Sequence, residues 1–392
     1  MNLLRPKKRI ISTDDWKVVP DYRAVDHVKV KPILQNMMDN IKKVLPTNFE
    51  ANIELIDFPS SYLMEKESYY EKIKIHMVAD EHEQKIELLY PKLIMGNYFV
   101  MNGSLYVPIL FLERSPIDVL KNEKKGNKYF INLIPTFNLT LNFKEGQVLL
   151  RRKSIEMGTF IRALFHDDLE YYTKLINDGI IEQCTIKTDK ERDAYIYKNL
   201  GFHESEFFEA NDLRVDEFFD NFIILDYFKG MFNDFFGIDN IKDIIKIVIN
   251  YYIDDTDINM SDIQNRRIVM NEYLINPLYE MYLRLLYGAV DKNEKQQFLP
   301  TMNQRVLITS GFRGLMHAGQ YYNISLPYTN PIINKTSQDI YIINDGRVPK
   351  SWTSNHESAM GKLCPISVSA QNMGSNLVFT NDTRINKFGR IE

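Results

Sequence analysis

The stretch that most constrains this chain is its last forty-odd residues, Arg347 to Glu392. Inside it, Gly361-Lys362-Leu363-Cys364-Pro365-Ile366 opens a long polar run in which Val368 and Met373 are the only large apolar residues between Ser367 and Asn376. Such a run cannot form a buried strand, because its backbone and polar side chains would go unpaired. A surface linker would carry more proline or charge. A neutral, hydroxyl- and amide-rich segment containing Gly374 suits a loop that comes close to a polar ligand.

The rest of the chain must supply the cores. At 392 residues it is long enough for two or three domains. Its 23 Tyr and 23 Phe predict aromatic-rich interiors. The net charge of −4 means that any surface facing nucleic acid is a local basic patch, not a general property. Two cysteines, Cys184 and Cys364, give no disulfide framework, and no Cys/His spacing fits zinc. No run of 18 apolar residues is present, and the N-terminus lacks an apolar segment after its basic residues, so neither a membrane span nor a secretory signal is expected.

Periodicity predicts a helix over Pro32 to Leu45, ending before Pro46. Strands are expected at Ile53–Ile56, Lys72–Val78 and Lys85–Tyr90, with Asp80-Glu81-His82-Glu83 as a polar turn. A hairpin over Gly96 to Leu112 turns at Asn102-Gly103. Ser154 is read as the N-cap of a helix from Met157 to Phe165. Further helices are expected at 169–177, 190–200, 215–225 and 241–253. A last one carries Leu274, Leu278, Met281 and Leu285 on one face. Residues 301–346 read as loop-rich. The fold class expected is α+β.

Several of these blocks, in this order, resemble the second-largest (beta) subunit of multisubunit DNA-dependent RNA polymerases. Phe99-Val-Met-Asn-Gly-Ser104 and Glu113-Arg114-Ser115-Pro116 resemble the family's Phe-Val-Ile-Asn-Gly-Thr and His-Arg-Ser-Pro. Leu133-Ile134-Pro135, Leu141-Asn142-Phe143 and Leu150-Arg151-Arg152-Lys153 resemble its Ile-Ile-Pro, its Leu-Glu-Phe strand and its basic turn before a helix. Asp254-Asp255-Thr256-Asp257 and Asn265-Arg266-Arg267 follow its Asp-Asp-Ile-Asp and Asn-Arg-Arg, with extra residues between them. Gly361 to Ile366 resembles Gly-Arg-(Val/Leu)-Cys-Pro-Ile, and Asn386 to Glu392 resembles Asn-Glu-Tyr-Gly-Phe-Leu-Glu.

The resemblance implies a beta-subunit architecture. Residues 1–113 would be protrusion-like, completed by about 266–300; 114–252 would be lobe-like; 253–392 would hold the rest of the protrusion and the start of the fork. Ending where the family continues, the chain reads as the N-terminal half of a split subunit of the kind found in giant bacteriophages related to phiKZ. The implied setting is the cytoplasm of an infected bacterium, or the virion. The implied role is non-catalytic: one wall of the DNA cleft and of the channel beside the RNA–DNA hybrid. No catalytic residue, metal or cofactor is assigned to this chain; Mg2+ is expected on a partner. The implied partners are the C-terminal half of the subunit, beta-prime-like chains, template and non-template DNA, nascent RNA and a promoter-specificity factor. A core shared with the companion half would bury about 2,000 Å² or more.

The candidate site residues follow from both lines. Arg114, Arg151, Arg152, Arg266 and Arg267 can form a phosphate- or guanine-binding patch, since a guanidinium binds bidentately; ordinary surface ion pairing is the other reading. Asp254, Asp255 and Asp257 are either metal ligands for two-metal chemistry or a helix end whose acids pair with Arg266 or Arg267. The resemblance makes Arg114, Asp257 and Arg266 part of a pocket for the non-template strand. It also puts Asn330 by the main channel and Gln371 and Asn372 near the template. Ser337 and Ile340 stand where the family has His and Arg, which predicts loss of rifamycin binding. The alternative function is a structural or binding phage protein with no role in transcription.

Overall fold

The computed structural model describes residues 24–25, 28–44, 49–56, 70–79, 82–91, 99–101, 104–107, 110–121, 126–134, 137–150, 153–202, 213–259, 262–269, 271–290, 322–324, 339–342, 356–363, 376–380 and 383–392. Within them the chain is mixed α and β. After β1 (Ala24–Val25), helix α1 (Val30–Val44) buries Val30, Leu34, Met37, Met38, Ile41 and Val44, one face at helical spacing.

Strands β2 (Phe49–Ile56), β3 (Tyr70–Ala79) and β4 (His82–Pro91) form an antiparallel meander. Alternation puts Ile73, Ile75 and Met77 in the core. Ala79 pairs with His82, so His82 and Glu83 belong to β4, not to the turn expected for them; residues 80–81 lie outside the described residues. His76 lies on the outer face of β3, its Nε2 2.8 Å from Glu83.

Strands β5 (Phe99–Met101) and β6 (Ser104–Val107) pair through Met101 and Ser104, a register that leaves a two-residue connection at 102–103. That connection itself lies outside the described residues. Next come β7 (Leu110–Arg114) and a five-stranded antiparallel meander of β8 (Ile117–Leu120), β9 (Lys128–Ile134), β10 (Phe137–Asn142), β11 (Gln147–Leu150) and β12 (Lys153–Glu156). Ser154 sits inside β12 opposite Leu149 and donates to Gln147, so it is not a helix cap. Burial of Ile155 keeps the strand paired up to Glu156, and the Met157 amide is satisfied by the Gly146 carbonyl at 2.8 Å.

The helical part contains α2 (Met157–Leu164), α3 (Leu169–Asn177), α4 (Asp189–Leu200), α5 (Val215–Phe218), α6 (Asp226–Phe236), α7 (Ile241–Ile253) and α8 (Asn271–Val290). Asp168, Thr188 and Asn240 cap α3, α4 and α7 by accepting backbone N–H bonds. The single helix expected at 215–225 is instead α5 followed by a π turn, Phe219–Ile223. Tyr279 and Tyr282 of α8 donate to the Ile223 and Phe222 carbonyls at 2.8 Å each, which fixes the break. Leu278, Met281 and Leu285 are buried as expected. Helix α1 packs against both α8 and β2, tying the N-terminal meander to the helical core.

Distant segments close the structure. Strand β13 (Arg266–Val269) runs antiparallel to β7; β15 (Asp339–Ile342) runs parallel to β7 on its other side; β16 (Asn376–Val378) pairs with β15. Strand β14 (Tyr322–Ile324) pairs with β6, and β17 (Arg384–Ile385) with β1. The stretch 301–346, expected to be loop-rich, thus contributes two strands. No helix among the described residues is long and apolar enough to cross a membrane.

Asp220 accepts the Ile241 amide at 2.7 Å, joining the π turn to the start of α7. Burial pushes its pKa from 3.8 up to about 6, with the Ile241 bond opposing. The native state therefore holds this proton more tightly than the unfolded chain. The associated stability is complete below pH 3.8 and is lost as pH rises through about 6. Asp220→Asn keeps the acceptor and removes the charge. Its melting temperature should rise relative to the parent at pH 7.5, by the equivalent of about 1 kcal/mol, and change little at pH 4.5. An equal shift at both pH values would refute this assignment.

Candidate nucleic-acid interface

Two short strands decide where the basic residues point. The antiparallel register sets Arg114 opposite Arg266 and Glu113 opposite Arg267. Side chains alternate across a sheet, so Arg114 and Arg266 share one face while Glu113 and Arg267 share the other.

Arg267 goes into the core. Only 4% of its side chain is exposed. Its Nη1 is in close contact with Glu272 Oε1 and lies 3.2 Å from Met231 Sδ. Nη2 is 3.7 Å from Glu113, and Nε donates to the Arg114 carbonyl at 3.3 Å. Burial opposes the charge, but Glu272 and Glu113 outweigh it and hold the pKa above the ordinary value. Arg267, expected on the basic patch, is therefore a buried structural residue. The acids it pairs with are not Asp254, Asp255 or Asp257.

On the opposite face Arg114 reaches the surface and Arg266 does not. The Arg114 side chain is 30% exposed and pairs with buried Asp118, four residues on. Burial raises the Asp118 pKa and Arg114 opposes the rise. Arg266 is buried; desolvation and then the charge of Arg114 push its pKa down to about 10, so it stays cationic at neutral pH. Arg266, expected on the nucleic-acid face, is therefore as buried as Arg267, and of the two cross-strand arginines Arg114 is the one an incoming phosphate can reach.

Asp257 is not brought to Arg266. It lies beside Lys121, with 3.9 Å between Nζ and Oδ1, and Asp255 is 3.6 Å from the same ammonium. Both acids follow the C-terminus of α7. The metal reading of these aspartates gains no support: no group of three or more metal-ligating side chains occurs among the described residues. Arg151, Arg152, Asn330, Gln371 and Asn372 lie outside the described residues. Sequence reasoning passed over Asp118 and Glu272. The signals were present, as a four-residue spacing from Arg114 and as an acid in the first turn of α8.

The C-terminal segment docks on the same pair of strands. The Ile268 amide donates to the Gly389 carbonyl at 2.8 Å. Gly389 has φ of +86°, and a Cβ there would lie 1.9 Å from the Ile268 oxygen, so only glycine fits. Asn386 donates to both Asp234 oxygens at 3.1 Å, and Tyr227 donates to the Lys387 carbonyl at 3.0 Å. Upstream, Ser358 accepts the Ile263 amide at 3.0 Å, just before β13. Three blocks far apart in sequence, 113–116, 263–268 and 386–392, thus adjoin in space.

Two variants probe this junction. Arg267→Ala leaves Glu272 buried and unpaired, and should cost about 3–5 kcal/mol in denaturant unfolding. The double variant Arg267→Leu/Glu272→Leu should recover most of that loss; no recovery would mean that the pair is not the reason for the cost. Gly389→Ala should release residues 384–392, seen as faster amide exchange there and at Ile268, with α3 and α4 unaffected. In comparisons with known proteins, the chain matches no family model and no curated sequence.

Proposed function

We propose that this chain is the non-catalytic, N-terminal part of the beta-like subunit of a multisubunit DNA-dependent RNA polymerase. The observation that carries the reading is the meeting of the blocks on which the resemblance rests. Arg114 and Arg266 are cross-strand partners, and the Asn386–Glu392 block is hydrogen-bonded onto the same strand. A resemblance due to chance would have no reason to bring its separate pieces together.

The proposed division of the chain has support of the same kind. Segments 1–113 and 266–300 would form one protrusion-like unit, and α1 packs on α8 while β7 pairs with β13. The segment 114–252 would be lobe-like, with the five-stranded meander leading into helices. On this reading the chain's own chemistry is positioning. Arg114, the partly exposed member of the cross-strand pair, meets backbone phosphate, and the buried Arg266 and Arg267 keep its strand pairing rigid. The nucleotidyl transfer and its Mg2+ belong to a partner chain.

Purification of the tagged chain from its native source tests this. The expected result is a complex containing beta-prime-like chains, one of them with the metal-binding Asn-Ala-Asp-Phe-Asp-Gly-Asp run, and template-dependent RNA synthesis by the complex. The isolated chain should make no RNA. Arg114→Ala in the complex should weaken DNA binding on all sequences and reduce the salt dependence by about one phosphate contact. RNA synthesis by the isolated chain, or a complex of structural phage proteins alone, would overturn the proposal.

A further inference from the structure

Three arginines from three parts of the helical region converge on one carboxylate. Arg162 of α2, Arg192 of α4 and Arg214, the residue before α5, all reach Asp189, the first residue of α4. Arg192 Nη2 is in close contact with Asp189 Oδ1, and Arg162 Nη2 lies 3.8 Å from the same oxygen. Arg214 Nη2 is 3.5 Å from Oδ2. The start of a twelve-residue helix adds to this field, since its free N–H groups and its dipole also favour an anion.

The charges there do not balance. Among the described residues, these arginines form ion pairs with one further acid, Asp193, 3.2 Å from Arg214 Nη1. Nearby acids are engaged elsewhere: Asp216 with Lys242 at 2.8 Å, and Glu217 on the Arg214 amide. Three guanidiniums thus share two carboxylates. Burial, and then the charge of Arg162, push the Arg192 pKa down. Arg214 shows the shortfall directly: its Nε and Nη2 are buried, and neither completes a hydrogen bond. Those two N–H groups are the side-on fork with which a guanidinium grips two oxygens of one anion. Asp189 is placed to give way. Its side chain is 45% exposed, against 13%, 5% and 16% for the three arginines, so it covers them from the solvent side.

We propose that this cluster is a binding site for a phosphate monoester, with Asp189 as its internal stand-in. When Asp189 swings out, three guanidiniums against the one carboxylate of Asp193 leave two positive charges. A monoester, with a charge of about −1.5 to −2 at neutral pH, matches them; a singly charged phosphodiester does not. The proposal does not rest on the transcription reading, and the co-purification result leaves it unaffected.

Titration of the intact chain at constant ionic strength, followed by NMR, tests it with methyl phosphate, inorganic phosphate and dimethyl phosphate as probes. Methyl phosphate should bind saturably, with a Kd on the order of 1 mM. Dimethyl phosphate should bind roughly tenfold more weakly or not at all. Asp189→Ala removes the stand-in and should tighten methyl phosphate binding roughly fivefold, because an internal ion pair lowers the fraction of open sites. Asp189→Asn serves the same purpose should the alanine variant not fold. Arg214→Gln should abolish saturable binding. No saturable binding by either the parent or the Asp189 variant, equal binding of the diester, or unchanged affinity in the folded Asp189 variant would overturn the proposal. So would binding of inorganic phosphate without methyl phosphate, because that site would admit free phosphate and no ester.

Discussion

One guanidinium holds the middle of this molecule together. Arg267 touches Glu113 and the Arg114 carbonyl on β7, Glu272 on α8 and Met231 on α6, while its own backbone forms β13. Three elements, β7, α6 and α8, meet on a side chain carried by a fourth, β13. Replacing a buried ion pair with well-packed apolar residues is often neutral or stabilising, so the pair is better understood as a specifier than as a source of net stability. A leucine at this position could pack against α6 and α8 in several ways. A charged fork that must find two carboxylates and a carbonyl has one arrangement that satisfies it.

That arrangement also governs its neighbour. Once Arg267 is directed inward, strand alternation turns Arg266 to the other face, opposite Arg114. Gly389 seals the same strand by bonding to Ile268, and Asn386 anchors the segment to Asp234 on α6. The basic face is thus defined by constraints that lie behind it.

This explains which parts were legible in the sequence. Helices α1, α3 and α7 were found almost to the residue because their signals are local: apolar spacing in α1, capping residues at α3 and α7. Helix α6 was missed. Gly230 breaks its local propensity, and the reason for Gly230 is distant: a Cβ there would lie 2.6 Å from the Phe388 ring. The break after Ile223 depends on hydroxyls from α8, some sixty residues away. Arg266 and Arg267 are the same residue type side by side, and nothing local distinguishes the one that stabilises the core from the one beside Arg114. Only the register with β7 does, and register is a tertiary property. Asp257 went astray for a related reason, since composition cannot show that Lys121 lies beside it.

The overall charge of −4 argued against a polyanion surface, but the fold separates what the composition averages. Strand β8 is the divider. Asp118, within it, pairs with Arg114, and Lys121, just beyond it, pairs with Asp255 and Asp257. A four-residue strand is about 13 Å long. The screening length at physiological salt is about 8 Å. Fields from the exposed groups at the two ends therefore decay largely before they overlap, and a basic and an acidic surface can lie on two successive sheets without cancelling. Net charge, summed over the chain, predicts neither of them. The placement of two oppositely charged pairs, one at each end of β8, accounts for both.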